Sequence, residues 1–155
     1  MDIIAQWHKP LSLRDGWRDS LIYACDLGRV PEEPGIYVFA RRFGDTICPL
    51  YIGKSVNLRA RVKSELNTVR LMKGIQDSSI GKRVLFFCTM RLRPGQNLDN
   101  VLHVVECACI DHALSEGHEL LNKQGTKTPT HSISCQNRPR PRTFPFPKQM
   151  KHRKA

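Results

Sequence analysis

Two tyrosines and two cations are spaced in a pattern that could act on a phosphate. Residues 35–37 read GIY and residues 51–53 read YIG, so thirteen residues separate the two phenols. Lys54 follows at once, and it could contact a phosphate as a point charge or lower the pKa of a nearby phenol. Arg61 could bind a phosphate through two parallel hydrogen bonds. The alternatives are an ordinary aromatic pair, a solvated loop lysine and a surface arginine whose stem covers apolar area.

Glu106 is a carboxylate in an apolar neighbourhood, VLHVVECACI. A carboxylate is costly to bury without a partner, so this one needs a metal ion or a cationic side chain. Asp111 and Glu116 are rival metal ligands on the same predicted helix. Asp111 lies about 140° round the helix from Glu106, and Glu116 lies near the helix end.

The elements that would position these side chains follow from apolar periodicity. Strands are predicted at 35–41, 47–53 and 83–92, and helices at 17–27, 55–73 and about 100–116. The helix at 55–73 has Ser55 or Asn57 as its N-cap, and the last one has Asp99. This order predicts an α+β domain in which helices flank a small, mainly antiparallel sheet.

The first two strands predict a β-hairpin whose turn lies at 42–46. If the hairpin turns about Gly44, Tyr37 pairs directly with Tyr51 and the two phenols share one face. A shift of one residue would instead pair Tyr37 with Ile52, so this prediction depends on the register. Pro49 has no amide hydrogen to donate, so we expect it at a sheet edge or in a bulge.

The two tripeptides, in this order on a hairpin, resemble the GIY-YIG nuclease family. The resemblance continues as K-[ST]-x-N-L-x-x-R in the run YIGKSVNLRARV and resumes weakly at Glu106 and Asn122. It covers residues 35–122, over half of the chain. The length and the basic end are more loosely similar to small phage endonucleases of the endonuclease II type.

The resemblance implies a DNA endonuclease that uses Mg²⁺ or Mn²⁺. It implies that Tyr37 is the general base on a water, directly or through Tyr51, and that Arg61 stabilises charge on the phosphate. Glu106 would be the metal ligand, and Lys54 and Asn122 would complete the catalytic set. A free tyrosine has a pKa of about 10, so Lys54, Arg61 and the metal are expected to lower that of Tyr37.

Glu65 departs from the family pattern, in which a His or Tyr often follows the catalytic arginine by one turn. An acid cannot donate a proton there unless its pKa is raised. Two placements stay open for its side chain, an ion pair with Arg61 or exposure to solvent. This departure keeps a second function open, a catalytically silent nucleic-acid-binding module on the same fold.

The charge of the chain favours a polyanionic partner. The formal net charge is +11, and residues 127–155 contain 8 Lys+Arg and no acid. The alternation of arginine with proline at 138–142 would space charges about 6 Å apart, near the spacing of phosphates along one DNA strand. The candidate DNA-binding cations are Lys54, Arg59, Lys63, Arg138, Arg140 and Arg142. Of these, Arg59 is also the best candidate for a structural surface arginine.

The sequence predicts three segments: an N-terminal helical extension at 1–34, a nuclease domain at 35–125 and a basic, proline-rich arm at 126–155. The arm is expected to be extended and to hold the DNA backbone. The alternative is that it packs on the domain through Phe144 and Phe146, and both can hold. The oligomeric state is open, and a homodimer is possible.

The six cysteines are expected to be reduced thiols. The start of the chain does not resemble a signal peptide, and no apolar run approaches about 18 residues, so a cytoplasmic protein without membrane contact is expected. A zinc site would need the cluster His103, Cys107, Cys109 and His112. On one helix these four side chains would point to different faces, which disfavours a zinc site.

Overall fold

The computed structural model describes residues 2–122, 131–139 and 144–152. Its strands are β1 (Asp2–Trp7), β2 (Leu11–Ser12), β3 (Arg14–Asp15), β4 (Tyr23–Ala24), β5 (Gly35–Phe43), β6 (Thr46–Ser55), β7 (Lys82–Arg91), β8 (His131–Gln136) and β9 (Gln149–His152). Its α-helices are α1 (Leu58–Leu66), α2 (Val69–Gln76) and α3 (Leu98–Ser115).

One sheet in the order β6-β5-β7-β1-β8-β9 forms the centre of the domain, and β2 also pairs with β7. Every pairing in it is antiparallel except β1 with β8. One apolar core packs α3 and the C-terminal segment on one face of the sheet. A second core packs α1 and α2 on the opposite face. The predicted α+β class, with a mainly antiparallel sheet flanked by helices, is confirmed.

The register of the β5–β6 hairpin differs from the predicted one. Tyr37 pairs with Gly53, and Tyr51 pairs with Phe39, so the predicted direct pairing of the two tyrosines is wrong. The turn is centred between Gly44 and Asp45, which shifts the register by one residue. A bulge beside Pro49 in the edge strand shifts it by one more. Because side chains alternate with a period of two, the two shifts together return both phenols to one face.

The helix predicted at 55–73 is two helices. Asn57 caps α1 by accepting a hydrogen bond from the backbone amide of Ala60 at 3.1 Å. Asn67 and Thr68 end it, because their side chains donate to the carbonyls of Lys63 and Ser64 and compete with the helical hydrogen bonds. The next helix then begins at Val69.

Helix α3 lies close to its predicted range. Its N-cap is Asn97, whose side chain accepts from the amide of Asn100, and not the predicted Asp99. The helix ends before Gly117, whose φ of +82° is the left-handed conformation that stops helices.

The N-terminal segment is not the predicted helix. Residues 17–27 contain a 3-10 turn at Trp17–Asp19 and the short strand β4, and a second 3-10 turn covers Leu27–Arg29. Upstream, β1 alternates buried and less buried residues, with Ile3, Ala5 and Trp7 facing the core. This period of two is the signal of a strand, and the sequence prediction missed it.

The C-terminal segment packs on the domain, as the alternative proposed. Phe144 and Phe146 are buried against Trp7, with ring centroids 4.9 and 5.7 Å from its ring. Strand β8 pairs in parallel with β1, and β9 extends the sheet further. All three predicted segments therefore supply strands to one sheet. The segment boundaries stay predictions.

Candidate active site

The phenol of Tyr37 lies across Gly53 of the YIG tripeptide. A Cβ on Gly53 would lie 2.4 Å from both Cζ and Oη of Tyr37, so no larger residue fits there with the ring in place. The rings of Tyr37 and Tyr51 are stacked with centroids 6.2 Å apart. Tyr51 and Glu65 both lie close enough to Tyr37 to influence its pKa. Tyr37 is 2% exposed, whereas Tyr51 is partly exposed.

The surroundings of the two phenols keep them protonated. Burial raises the pKa of Tyr37 well above its ordinary value, the negative charge of Glu65 raises it further, and Arg61 opposes them more weakly. Burial is also the main reason for the raised pKa of Tyr51, followed by Glu65. The expectation that Lys54 and Arg61 would lower the pKa of Tyr37 is therefore not met by the two cations alone.

Glu65 lies beside Arg61 on α1, one turn further along the helix. Their closest atoms, Nη1 and Oε1, are 3.8 Å apart, so of the two placements left open the ion pair is correct. The Arg61 side chain is half exposed, while Glu65 is buried. Burial raises the pKa of Glu65, and the charge of Arg61 and the hydrogen bond from Tyr37 only partly offset it.

Glu106 has the cationic partner that its apolar surroundings require. The Nζ of Lys54 lies 3.3 Å from Oε2 of Glu106, whose side chain is 7% exposed. The same ammonium donates to Nδ1 of His103 at 3.2 Å. His103 was weighed in the sequence only as a zinc ligand. Its spacing of three residues from Glu106 on one helix is the signal that could have placed it here.

The residues at Glu106 fit a magnesium or manganese ion. Mg²⁺ is commonly held by one or two carboxylates together with waters and phosphate oxygens. In the described ranges, no group of three or more His, Cys, Asp or Glu side chains could hold a metal ion among themselves. The buried carboxylate of Glu106 would supply one ligand to such an ion, and the remaining ligands would come from water and substrate. The same finding opposes the zinc cluster, and the six cysteines are unpaired in the structure.

Lys54 and Arg61 border a common cavity of about 360 Å³. It is lined by Lys54, Ser55, Val56, Arg61, Asp99 and Leu102. The site cations thus border the same open space, although Arg61 lies on the α1 side of the sheet and Lys54 contacts α3. A second cavity, of about 490 Å³, is bordered by Tyr51 and Glu65.

Asn122 lies beside the YIG strand, and its resemblance to the family's downstream asparagine stays a prediction. Its side chain donates from Nδ2 to the carbonyl of Ile52 at 2.7 Å and accepts from the Ile52 amide at 3.4 Å. The neighbouring amide of Leu121 donates to the carbonyl of Leu50. The side-chain amide of Asn122 therefore forms hydrogen bonds with both the backbone amide and the carbonyl of Ile52 on edge strand β6.

The remaining candidate cations lie in different environments. Arg59 donates to the carbonyl of Val30 at 2.8 Å and pairs with Glu32, so it fixes the preceding loop to α1. Lys63 and Arg138 are exposed. Arg140 and Arg142 lie outside the described residues. Within those residues, no helix is both long and apolar enough to cross a membrane.

The fold and the site define a small α+β domain that gathers two tyrosines, two cations and a buried carboxylate at one end of a β-hairpin. Part of the chain is similar to proteins named excinuclease Cho: 43% identity over 63 residues with that of Escherichia coli (strain K12), and 41% over 63 residues with that of Salmonella typhimurium. It is also 46% identical over 41 residues to UvrABC system protein C of Petrotoga mobilis.

These similarities are partial. The matched region is 41% of this chain but 20% of each Cho protein, and for the UvrABC protein it is 26% of this chain and 7% of the other. No family model matches the chain, and no solved structure matches it. The relatives support a nuclease in general and do not assign individual residues.

Proposed function

We propose that this chain is a metal-dependent DNA endonuclease of the GIY-YIG type that hydrolyses phosphodiester bonds. The observation that carries the proposal is the cavity that Lys54 and Arg61 both line, together with the contact of Lys54 with Glu106. The partial similarity to proteins named excinuclease supports a nuclease over other phosphate-binding proteins.

In the proposed reaction, Arg61 and Lys54 bind the scissile phosphate in this cavity. Arg61 stabilises the charge that develops on the phosphate oxygens. Lys54 exchanges its contact with Glu106 for a phosphate oxygen, which frees the carboxylate to hold Mg²⁺ or Mn²⁺. When bound, that ion would supply positive charge for the phosphate and the departing 3′ oxygen. The tyrosine pair orients the attacking water and takes part in removing its proton.

The experiment is nicking of supercoiled plasmid with Mg²⁺ and with a chelator. We expect metal-dependent nicking by the native chain and a loss of about 10²-fold or more in Glu106→Gln, because the variant keeps the size of the side chain but not its charge. Glu116→Gln is the matched control, since Glu116 is an exposed acid near the end of the same helix. Nicking by native protein that persists in chelator would refute the metal requirement.

A catalytically silent DNA-binding module is the second candidate, and one observation favours it. Glu65 partly neutralises Arg61 and raises the pKa of both tyrosines, which opposes binding and activation of an anionic substrate. This candidate predicts DNA binding without nicking under any of the metal conditions above.

The role of the arginines at 138–142 in DNA binding is tested by substitution and not by deletion. Removing residues from 138 onwards would also remove Phe144, Phe146 and β9, which belong to the fold. A triple Arg→Gln variant at 138, 140 and 142 should lower the slope of log affinity against log salt by up to about 3, since each phosphate contact contributes roughly 0.9. An unchanged slope would contradict a role in binding the backbone.

A further inference from the structure

Glu65 is a buried carboxylate for which the proposed reaction, on which this inference rests, has no role. It is 8% exposed, and its contacts are with reactive groups rather than with solvent. Tyr37 approaches it through its hydroxyl, and Arg61 through Nη1 at 3.8 Å. A carboxylate retained at such a place requires an explanation, because burying it is costly.

We propose that Glu65 is the final acceptor of the proton that the attacking water loses. As the water oxygen bonds to phosphorus and the bond to the 3′ oxygen breaks, the water proton passes to the tyrosine pair. Tyr37 gives its own phenolic proton to the Glu65 carboxylate in the same event. The 3′ oxygen takes its proton from solvent, and Glu65 later returns its proton to solvent.

The placement of the three groups supports this order. Tyr51 is the more exposed phenol, whereas Tyr37 is buried and interacts with both Tyr51 and Glu65. Direct ionisation of Tyr37 is opposed by burial, so a tyrosine that only passes a proton onward fits this site better than a phenolate. Glu65 also borders the cavity of about 490 Å³ beside Tyr51, which gives the received proton a route out.

The charged and titratable groups around Glu65 include Arg61, Tyr37 and Tyr51, and Arg70 of α2 borders the same cavity. Both tyrosines stay protonated because burial raises their pKa. Glu65 is the carboxylate of this cluster. Its pKa lies above the ordinary 4.5, mainly because of burial, and only its ionised form accepts a proton.

The test is the pH profile of single-turnover plasmid nicking with Mg²⁺, comparing the native chain, Glu65→Gln and Glu65→His. The native rate should rise with pH through the pKa of Glu65. Glu65→Gln keeps the shape but cannot accept the proton, so it should lose this rise and be about 10²-fold or more slower at the plateau. Glu65→His should recover at least about tenfold over Glu65→Gln, with its rise moved towards about pH 6.5.

The fold of each variant is checked by circular dichroism, and its plasmid binding is measured. If Glu65 had a purely structural role, its substitution would not change the pH profile of nicking. If Glu65→Gln nicks within about threefold of the native rate, or keeps the native pH profile, the proton-acceptor role is overturned while the endonuclease proposal stands. Faster nicking by Glu65→Gln would show that Glu65 lowers the activity by pairing with Arg61, and this result would also overturn the proton-acceptor role. Absence of nicking by the native chain at every pH would overturn the endonuclease proposal and this inference together.

Discussion

Gly53→Ala tests whether the YIG glycine exists to accommodate the Tyr37 ring. The new methyl group would lie 2.4 Å from Cζ and Oη and 2.9 Å from Cε1 of Tyr37, well inside van der Waals contact. The φ angle of Gly53 is not in the left-handed region, so the backbone accepts alanine and the whole cost comes from crowding. Overpacking of this kind destabilises by about 1–3 kcal/mol.

A double-mutant cycle isolates that crowding. Tyr37→Leu removes Cζ, Oη and Cε1, the three atoms that the new methyl group would meet. In this background Gly53→Ala should cost less than about 0.5 kcal/mol. The two changes should therefore be coupled by about 1 kcal/mol or more, within the range measured for residues in contact.

The free energy of unfolding is measured by urea titration of the four proteins. Gly28→Ala is the matched control, because its Cβ would meet only the flexible side chain of Asp26, at 3.3 Å. A coupling below about 0.3 kcal/mol between the changes at 53 and 37 would refute the argument, as would an equal cost of Gly53→Ala in both backgrounds. In the nicking assay, Gly53→Ala should lose activity because the phenol must move.

Three further predictions concern other parts of the domain. Phe146→Ala should lower the free energy of unfolding by about 3–5 kcal/mol in urea titration, because the ring is fully buried; a loss below about 1 kcal/mol would show that the C-terminal segment is dispensable. Asn122→Leu should cost about 1–2 kcal/mol by the same method, since it removes two hydrogen bonds to Ile52, and an equally stable variant would contradict that role. Lys54→Met should raise the affinity for Mn²⁺, measured by calorimetry in the absence of DNA, about two- to fivefold. The reason is that the variant loses the partly exposed ion pair between Lys54 and Glu106, which is worth about 0.5–1 kcal/mol. An unchanged affinity would show that the lysine does not compete with the ion.

The elements around the site could largely be predicted from local patterns. The β-branched and aromatic runs predicted β5, β6 and β7, because strand preference depends on residues close in sequence. Asn57 correctly marked the start of α1 for the same reason. The prediction of a single helix that continues through Asn67 and Thr68 was wrong. It was based on the spacing of apolar residues, which carries no information about polar side chains that hydrogen-bond to helix carbonyls.

The position of the terminal segments could not be read from local patterns. Strand β1 lies between β7 and β8, so its partners are far away in the chain, and the predicted N-terminal helix came from a short apolar stripe alone. The C-terminal segment was predicted to be a basic arm because its positive charge can be counted from the sequence. Its place in the fold depends on Phe144 and Phe146 meeting Trp7, a contact across more than a hundred residues.

The sequence by itself determined which groups are available for chemistry: two tyrosines, Lys54, Arg61 and a carboxylate in an apolar helix. It also determined that Glu106 needs a cationic partner, since the cost of burying charge depends only on local polarity. Only the tertiary structure decided which partner that is and how the phenols meet. Register, bulges and the packing of helices on the sheet set those contacts, and the same packing buries Glu65 against Tyr37 and raises its pKa.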